Sequence, residues 1–522
     1  MTAATAPARS GPPRAWHVPL AARARLLRLE LRRSVMLWML PLLAALFWYS
    51  TYRSGMANPP FWNVRAAMIQ SHAMLAFGPL LAGAAAWAGS RDSRQHTIEL
   101  VGVTAAPRWA GQIAAWAAAT CWAEAVCLGG VAIVYGVTAR QAAWGGPLWW
   151  PIAVAAATVA ASCALGFAAG ALLPGRFTAP LAAIVMFLAL GGGAFALQNN
   201  GTYAQIWPLN VQGAFPSDSY GIFYPYLPDL PIAQVMFLAG LAAAALGALG
   251  LPAAAGARWL RAAAAVLTAA GLAAAGTSVG LAGTARLEAH GIVIPALHDA
   301  ASDRPVPYTP VCGHSTVPVC LQPAYRSFLP AVTAALGPVL SEVAGLPGAP
   351  VRVTQVAVTS VRQWPSNGIA FGDPVISGSP PALLLPLSGL ALPGEANTST
   401  AEFTETLALQ DAPAVLDTLV GLSGQQGPQG SAGGVPVQQA PGTTAQLAIA
   451  EALVRAAGLM PDNRTPAGNG GKPAGNGSSS ASAQQLAATR RFAALPTAAR
   501  HAWLVTHLAA LRADRITLSE IP

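Results

Sequence analysis

The residues with the clearest chemical potential lie in the segment VCGHSTVPVC, where seven residues separate Cys312 from Cys320. Two cysteines at this spacing can form a disulfide that closes a small loop, as is common in oxidising compartments. Together with His314 and either His290 or His298, they could instead ligate a metal ion. That spacing matches no common zinc pattern. The disulfide is the favoured interpretation, and we predict no metal site.

Glu124 lies in TCWAEAVCLGG, near the middle of an apolar run. A carboxylate in a membrane span is costly, so we expect it to be neutral, paired with a neighbouring helix or directed into a polar cavity. Two interpretations stay open. Glu124 is either a functional residue of a pathway through the bundle or a hydrogen-bonded structural contact, and the sequence shows no buried basic partner for it.

The sequence contains neither a complete phosphate loop nor a zinc-peptidase motif. The segment Gly470-Gly471-Lys472 is followed by Pro473, so it does not complete the G-x-x-x-x-G-K-[ST] phosphate loop. H-E-x-x-H is missing too, and His501 and His507 have no carboxylate spaced as in a zinc peptidase. We therefore expect this chain to be no enzyme and to bind no cofactor itself.

The elements that must position these residues are membrane helices, because 54% of the 522 residues are hydrophobic and only 9% are charged. The apolar excess lies before about residue 283. Seven segments there approach the roughly 20 residues that cross a hydrocarbon core. We place the predicted spans at about 35–52, 67–89, 110–137, 149–173, 178–197, 231–252 and 261–283.

Arginines predict the orientation of these spans. They concentrate in residues 1–34, 90–109, 174–177 and 253–261, whereas the alternate connections hold only Arg53, Arg65 and Arg140. By the positive-inside rule the N-terminus is cytoplasmic, and seven crossings place residues 284–522 outside. The scarcity of Lys beside abundant Ala, Gly, Pro and Arg is typical of high-GC bacteria, which predicts a bacterial plasma membrane.

Before the first span, residues 16–33 combine an apolar face with arginines at positions 25, 28 and 32. This pattern is typical of an amphipathic helix in the cytoplasmic interface. A plain continuation of the first span is an equally good interpretation. On the other side, the aromatic and proline-rich connection 198–230 forms either short interfacial helices or a packed loop.

Residues 284–522 have the length and the mixed pattern of one α/β domain. Residues 325–346 predict a helix and residues 351–361 alternate as a strand does. Further helices are predicted near 400–421, 444–458 and 495–513. The Gly-, Ser- and Gln-rich segments 424–442 and 463–482 predict mobile loops.

One charged segment interrupts the apolar half of the chain. Residues 90–109, SRDSRQHTIELVGVTAAPRW, lie between the second and third predicted spans. An arginine-rich turn, then TIEL, then Pro107-Arg108 before the next span resembles the cytoplasmic coupling segment of ABC-2-type transporter permeases. The resemblance covers roughly residues 16–252. The residues that match are Arg91, Arg94, Thr97, Ile98, Glu99, Leu100, Pro107 and Arg108.

The resemblance implies a six-span permease that works as a homodimer or heterodimer with a separate ATPase subunit, which binds ATP and Mg²⁺. Arg91, Arg94, Thr97, Glu99 and Arg108 are then the residues expected at the ATPase contact. This sequence departs from the family pattern by a seventh span and by its large C-terminal region.

We therefore expect the permease subunit of an exporter, with the lipid bilayer and an ATPase as partners. Nucleic acid is not expected, because the arginines lie beside apolar runs, where membrane topology explains them. The alternative is a membrane-anchored extracytoplasmic enzyme or sensor whose C-terminal region carries the activity.

Overall fold

The structure is a computed structural model. It describes residues 20–51, 60–95, 108–193, 205–210, 221–253, 258–288, 291–357, 375–386, 415–416, 419–420, 444–458 and 483–522.

The chain is mostly helical, and its first half is a bundle of apolar helices. The helices here are α1 Leu20–Arg33, α2 Val35–Thr51, α3 Trp62–Gly89, α4 Arg91–Arg94, α5 Arg108–Gln141, α6 Trp149–Leu172, α7 Thr178–Gly192, α8 Asp229–Ala253 and α9 Arg258–Gly283.

Five described helices are long and apolar enough to cross a membrane, namely α3, α5, α6, α8 and α9. The pair α1 and α2 is bent by 57° and makes a sixth candidate if it is counted as one span. Helix α7 is apolar but has only 15 residues, or roughly 22 Å at 1.5 Å per residue, less than the ~30 Å hydrocarbon core. The described residues therefore contain several helices that are long and apolar enough to cross a membrane, and exactly seven crossings stay a prediction.

Small residues allow the helices to pack closely. A methyl group on Gly166 of α6 would collide with the carbonyl oxygen of Ala82 on α3, and one on Gly170 would collide with that of Ala86. The backbones of α3 and α6 thus touch through a G-x-x-x-G pattern, as membrane helices often do. Gly240 and Gly271 bring α8 and α9 together in the same way.

Contacts define two ends of the bundle. At the end that we call the N-terminal face, Glu30 of α1 contacts Arg91 beyond α3. At the other end, which we call the C-terminal face, Arg65 of α3 contacts Thr138 of α5. The C-terminal region packs at this second end. The side of the membrane to which each face belongs remains the prediction from the arginines.

The C-terminal region contains a hairpin and a small mixed sheet. The strands are β1 Arg286–Glu288, β2 Gly291–Val293, β3 Val311–Cys312, β4 Val319–Leu321, β5 Arg352–Val356, β6 Val375–Ser377 and β7 Ala382–Pro386. Strands β1 and β2 pair antiparallel. The other five form a sheet in the order β3-β4-β5-β7-β6, in which β4, β5 and β7 are parallel and the two edge strands are antiparallel.

Helices cover this sheet and complete its core. They are α10 Leu329–Val343, α11 Thr444–Ala456, α12 Ala483–Ala494 and α13 Thr497–Arg512. Apolar side chains of α10, such as Val332 and Leu336, are fully buried against the sheet and the later helices. The mixed α/β character predicted for this region is thus confirmed.

The core of the C-terminal region extends into the membrane half of the chain. Phe61 and Val64, at the start of α3, belong to the same buried cluster as Tyr325. The ring of Phe61 lies 4.8 Å from that of Tyr325 and 6.2 Å from that of Phe328, measured between centroids. The region is therefore packed directly onto the helix bundle.

Some predicted boundaries need correction. Helix α3 begins at Trp62, not near residue 67, so Arg65 belongs to a helix and not to a connection. Its guanidinium is tolerated there because it donates hydrogen bonds to Thr138 and Gln141. The predicted strand 351–361 is confirmed for 352–356. The predicted loops 424–442 and 463–482 lie outside the described residues.

Candidate coupling surface at the N-terminal face

Arg91 fastens the charged segment to the N-terminal helix. It begins the short helix α4, directly after Ser90, which separates α4 from the end of α3 at Gly89. Its Nη1 and Nη2 donate hydrogen bonds to Glu30 Oε2 at 3.0 Å and Glu30 Oε1 at 3.2 Å. This two-pronged geometry is the strong form of an arginine–carboxylate pair. The hydrogen bond to Glu30 raises the pKa of Arg91 despite the opposing effect of burial.

Arg94 folds back onto the end of α3. Its Nη2 donates a hydrogen bond to the carbonyl oxygen of Trp87 at 2.8 Å. Its guanidinium carbon lies 3.4 Å from the centre of the Trp87 ring, in cation–π geometry. Burial lowers the pKa of Arg94. In this conformation both arginines make contacts within the chain.

Helix α1 is attached to the bundle at a second point. Trp122 of α5 donates a hydrogen bond from Nε1 to the carbonyl oxygen of Leu31 at 2.9 Å. Helix α1 is therefore held by α4 through Glu30 and by α5 through Leu31. Four arginines of α1, Arg25, Arg28, Arg32 and Arg33, are exposed.

The far end of the charged segment is anchored to another pair of helices. Arg108 is the first residue of α5 and is partly buried. The next residue, Trp109, donates a hydrogen bond from Nε1 to the carbonyl oxygen of Leu246 on α8 at 2.9 Å. Thr97 and Glu99 lie outside the described residues. The structure thus holds the segment at both of its ends.

Glu124 lies away from the charged segment, within helix α5. It lies on α5, and its Oε2 is buried without a hydrogen bond to any described residue. None of the ion pairs in the described part of the chain includes it. The described residues therefore do not distinguish a functional Glu124 from a structural one, because they include no hydrogen-bond or ion-pair partner for its Oε2.

The cysteines of the C-terminal region are joined. Cys312 on β3 and Cys320 on β4 form a disulfide, with the sulfur atoms 2.05 Å apart. Among the described residues, no group of three or more His, Cys, Asp or Glu side chains is arranged so that it could hold a metal ion. His298, considered above as a fourth ligand, instead contacts two aspartates.

Those aspartates form a polar chain at the C-terminal face that the sequence did not indicate. Asp229 is fully buried in the first turn of α8, and its Oδ2 accepts a hydrogen bond from the backbone N–H of Ile294 at 2.9 Å. The same oxygen lies 3.1 Å from His298 Nδ1, and His298 Nε2 lies 2.9 Å from Asp303 Oδ1. These three side chains connect α8 to the residues that follow β2, His298 and Asp303.

Two buried glutamines form a second unexpected cluster. A π-helical turn, Ile69–Ala73, interrupts α3 and carries Gln70, whose Nε2 donates to Gln234 Oε1 at 3.2 Å and to the Pro208 carbonyl at 3.0 Å. Gln234 Nε2 donates to the carbonyl oxygens of Trp207 and Asn210 at 2.9 and 2.7 Å. The glutamines thus hold the backbone of residues 205–210 against the bundle. Gln70 and Gln234 each lie within an apolar run of the sequence, and this pattern could have indicated a buried polar contact.

No protein-family model, curated protein or solved structure matches this chain.

Proposed function

We propose that the chain is the permease subunit of an ABC-2-type exporter, driven by a separate ATPase subunit that docks on the N-terminal face. Several apolar helices long enough to span a membrane support the membrane assignment. The observation that carries the proposal is the anchoring of the charged segment, because a coupling segment must pass movement to the spans.

The anchors define how such movement would travel. A displacement of the segment pulls α1 through the Glu30–Arg91 pair and α3 through Arg94 and Trp87. At its other end it pulls α5 and α8 through Trp109. Four helices therefore respond to one contact with the ATPase. Closing of the ATPase subunits would shift the bundle between two packed arrangements.

This view changes the roles assigned to individual residues. Arg91 and Arg94 act as positioning residues that shape the segment, because their guanidinium groups are engaged within the chain. The residues that contact the ATPase directly are then the exposed arginines of α1 and the central residues of the charged segment, among them Thr97 and Glu99. Glu124 stays the proposed polar residue inside the pathway.

The glutamine cluster is proposed as the closed outlet of that pathway. Gln70 and Gln234 belong to the two helices α3 and α8, which the segment also moves. Residues 205–210 fill the space between them at the C-terminal face. Separation of α3 from α8 would break these hydrogen bonds and free the outlet.

The proposal is tested by purifying the tagged full chain from its native membranes in mild detergent. The ATPase activity of the purified material and the identity of its copurifying proteins are measured. We expect an ATPase with phosphate-loop motifs in the wild-type sample. Glu30→Gln and Arg91→Gln should each weaken its retention about fivefold, the effect of roughly 1 kcal/mol for a partly exposed ion pair.

The double variant E30Q/R91Q should lose no more than either single variant, because all three lack the same contact. Arg176→Gln is the matched control, since Arg176 is exposed in the α6–α7 connection at the same face. Absence of any ATPase from the wild-type sample in several detergents contradicts the permease function. An ATPase that E30Q and R91Q retain as well as wild type contradicts only the coupling role.

A second candidate function is a membrane-anchored extracytoplasmic enzyme or sensor. The core shared by Phe61, Val64 and Tyr325 favours it, because a change in the C-terminal region would pass directly to α3. A wild-type sample without ATPase, together with ligand-dependent hydrogen exchange at residues 62–68, would support this alternative.

A further inference from the structure

His298 lies between two carboxylates at the C-terminal face, one from the helix bundle and one from the C-terminal region. Its Nδ1 is 3.1 Å from Asp229 Oδ2, on the first residue of α8. Its Nε2 is 2.9 Å from Asp303 Oδ1, in the short 3₁₀ turn Ala300–Asp303. A neutral imidazole has a proton on one ring nitrogen, whereas the protonated ring donates from both. Two carboxylate oxygens at hydrogen-bonding distance therefore fit the protonated ring.

Asp229, His298 and Asp303, which we call the latch, can exchange a proton with water. The side chain of Asp229 is fully buried, but that of His298 is 14% exposed and that of Asp303 is 39% exposed. Burial opposes the charge on His298, yet the hydrogen bond to Asp303 and the charges of both aspartates outweigh it and raise its pKa.

The other described charged residues on the elements around the latch point to solvent. Asp229 is the only acidic or basic residue of α8. Those on the neighbouring elements are exposed, namely Arg258 and Arg261 on α9, Arg286 and Glu288 on β1, and Asp299 and Arg304 beside the 3₁₀ turn. The carboxylates of Asp229 and Asp303 are thus the charged groups that decide the protonation of His298.

The latch is packed against the residues that fill the proposed outlet. Gln234, which holds the backbone of residues 205–210, follows Asp229 on α8 by five residues. Ile294 donates its backbone N–H to Asp229 at 2.9 Å, and its side chain lies in one buried apolar cluster with Ile206. A change in the latch is therefore passed to residues 205–210 through α8 and through this cluster.

We propose that the latch is a pH-sensitive switch, which holds the outlet closed while both ring nitrogens of His298 carry a proton. Loss of one proton leaves one carboxylate facing a nitrogen lone pair, so that contact becomes repulsive. The start of α8 then separates from residues 294–303, and α8 can move away from residues 205–210. The inference rests on the outlet proposed above and adds the condition that opens it, a rise in pH at the C-terminal face.

Hydrogen exchange of the full chain in lipid nanodiscs tests this switch. Protection factors, which divide out the effect of pH on chemical exchange, are measured at about pH 5.5 and about pH 9, on either side of the ordinary histidine pKa. In wild type, residues 205–210 and 291–303 should lose protection about tenfold at the higher pH, the effect of one hydrogen bond between charged groups. Helix α13, which packs on α10 and α11, is the internal reference and should keep its protection.

Substitutions assign the response to the latch. His298→Gln removes the titrating group and should abolish the pH dependence of protection at residues 205–210. Asp303→Asn keeps His298 but removes one of the two carboxylates that favour its protonated form, so the midpoint of the pH dependence should move to lower pH. His501→Gln is the matched control, because His501 Nε2 lies 2.9 Å from the neutral carbonyl oxygen of Ala344, and it should respond to pH like wild type.

Several results would overturn the switch. They are equal protection of residues 205–210 at both pH values in wild type, a pH dependence that H298Q retains, and a response confined to residues 291–303, which would separate the latch from the outlet. Elution on a sizing column shows whether H298Q is folded. If it is not, D303N decides, since Asp303 is partly exposed, and an unchanged midpoint in D303N then rejects the proposal. The test involves no ATPase, so failure of the switch and failure of the permease function are observed separately.

Discussion

At the scale of single residues, the polar side chains with the most specific contacts lie where different helices or regions meet. Arg91 joins α4 to α1, Gln70 joins α3 to α8, and His298 joins the C-terminal region to α8. Each contact spans a long stretch of sequence. Their partners could therefore not be assigned from local patterns.

His298 makes the stability of the C-terminal face depend on pH. Burial alone would lower the pKa of His298, but the hydrogen bond to Asp303 and the charges of Asp229 and Asp303 outweigh it and raise the pKa. The protonated imidazole is thus favoured in the folded chain. This contribution to stability is complete below the ordinary histidine value and is lost as the pH rises through the raised value.

We therefore expect the midpoint of thermal unfolding to respond differently in wild type and in His298→Gln. The variant should lower the midpoint most at about pH 5.5, and the difference should shrink toward about pH 8.5, on either side of the ordinary histidine pKa. Unfolding of the full chain in detergent, followed by tryptophan fluorescence, measures this. A difference that grows with pH would mean that neutral His298 is the stabilising form.

At the scale of elements, the packing of α3 on α6 depends on two small residues. Gly166 and Gly170 let the helix backbones touch. Gly166→Leu should destabilise the bundle by about 1–3 kcal/mol, because the larger side chain must separate the helices. The measurement is thermal unfolding of the full chain in detergent.

Gly136→Ala on α5 is the control for that experiment, since a Cβ there meets nothing within 4 Å. It should be neutral or slightly stabilising, because alanine is the better helix former. A neutral effect of Gly166→Leu, or an equal loss in both variants, would show that close contact of α3 and α6 is unimportant for stability.

At the scale of the whole molecule, the C-terminal region and the helix bundle behave as connected parts. Phe61 supplies the aromatic contact that joins α3 to Tyr325 and Phe328. Phe61→Ala should cost about 3–5 kcal/mol, the usual effect of truncating a buried phenylalanine. The expected result is faster proteolysis of the C-terminal region in the full chain held in lipid nanodiscs.

Phe177→Ala provides the comparison, because Phe177 is 70% exposed in the connection at the opposite face. It should leave the proteolysis rate unchanged. Equal rates for wild type and Phe61→Ala would show that the C-terminal region is held by other contacts.

Local sequence patterns were sufficient to locate most of the apolar helices. The predicted spans near 110–137, 149–173, 231–252 and 261–283 each correspond to a described helix, because a long run of apolar residues is a local property. The mixed α/β character of the C-terminal region and the strand at 352–356 were likewise predictable from local patterns.

The partners of the polar side chains could not be predicted from the sequence, because they lie far apart along the chain and meet only in the folded protein. The two-pronged bond of Arg91 to Glu30 joins positions 61 residues apart, and the single hydrogen bond of Arg65 to Thr138 joins positions 73 apart. The start of α3 at Trp62 depends on the same kind of contact, because α5 supplies the acceptors that make an arginine tolerable there. Hydropathy and periodicity report the environment that a residue prefers. The hydrogen-bond partner of a buried polar residue is decided when the helices pack, because packing brings donors and acceptors that are distant in sequence within bonding distance.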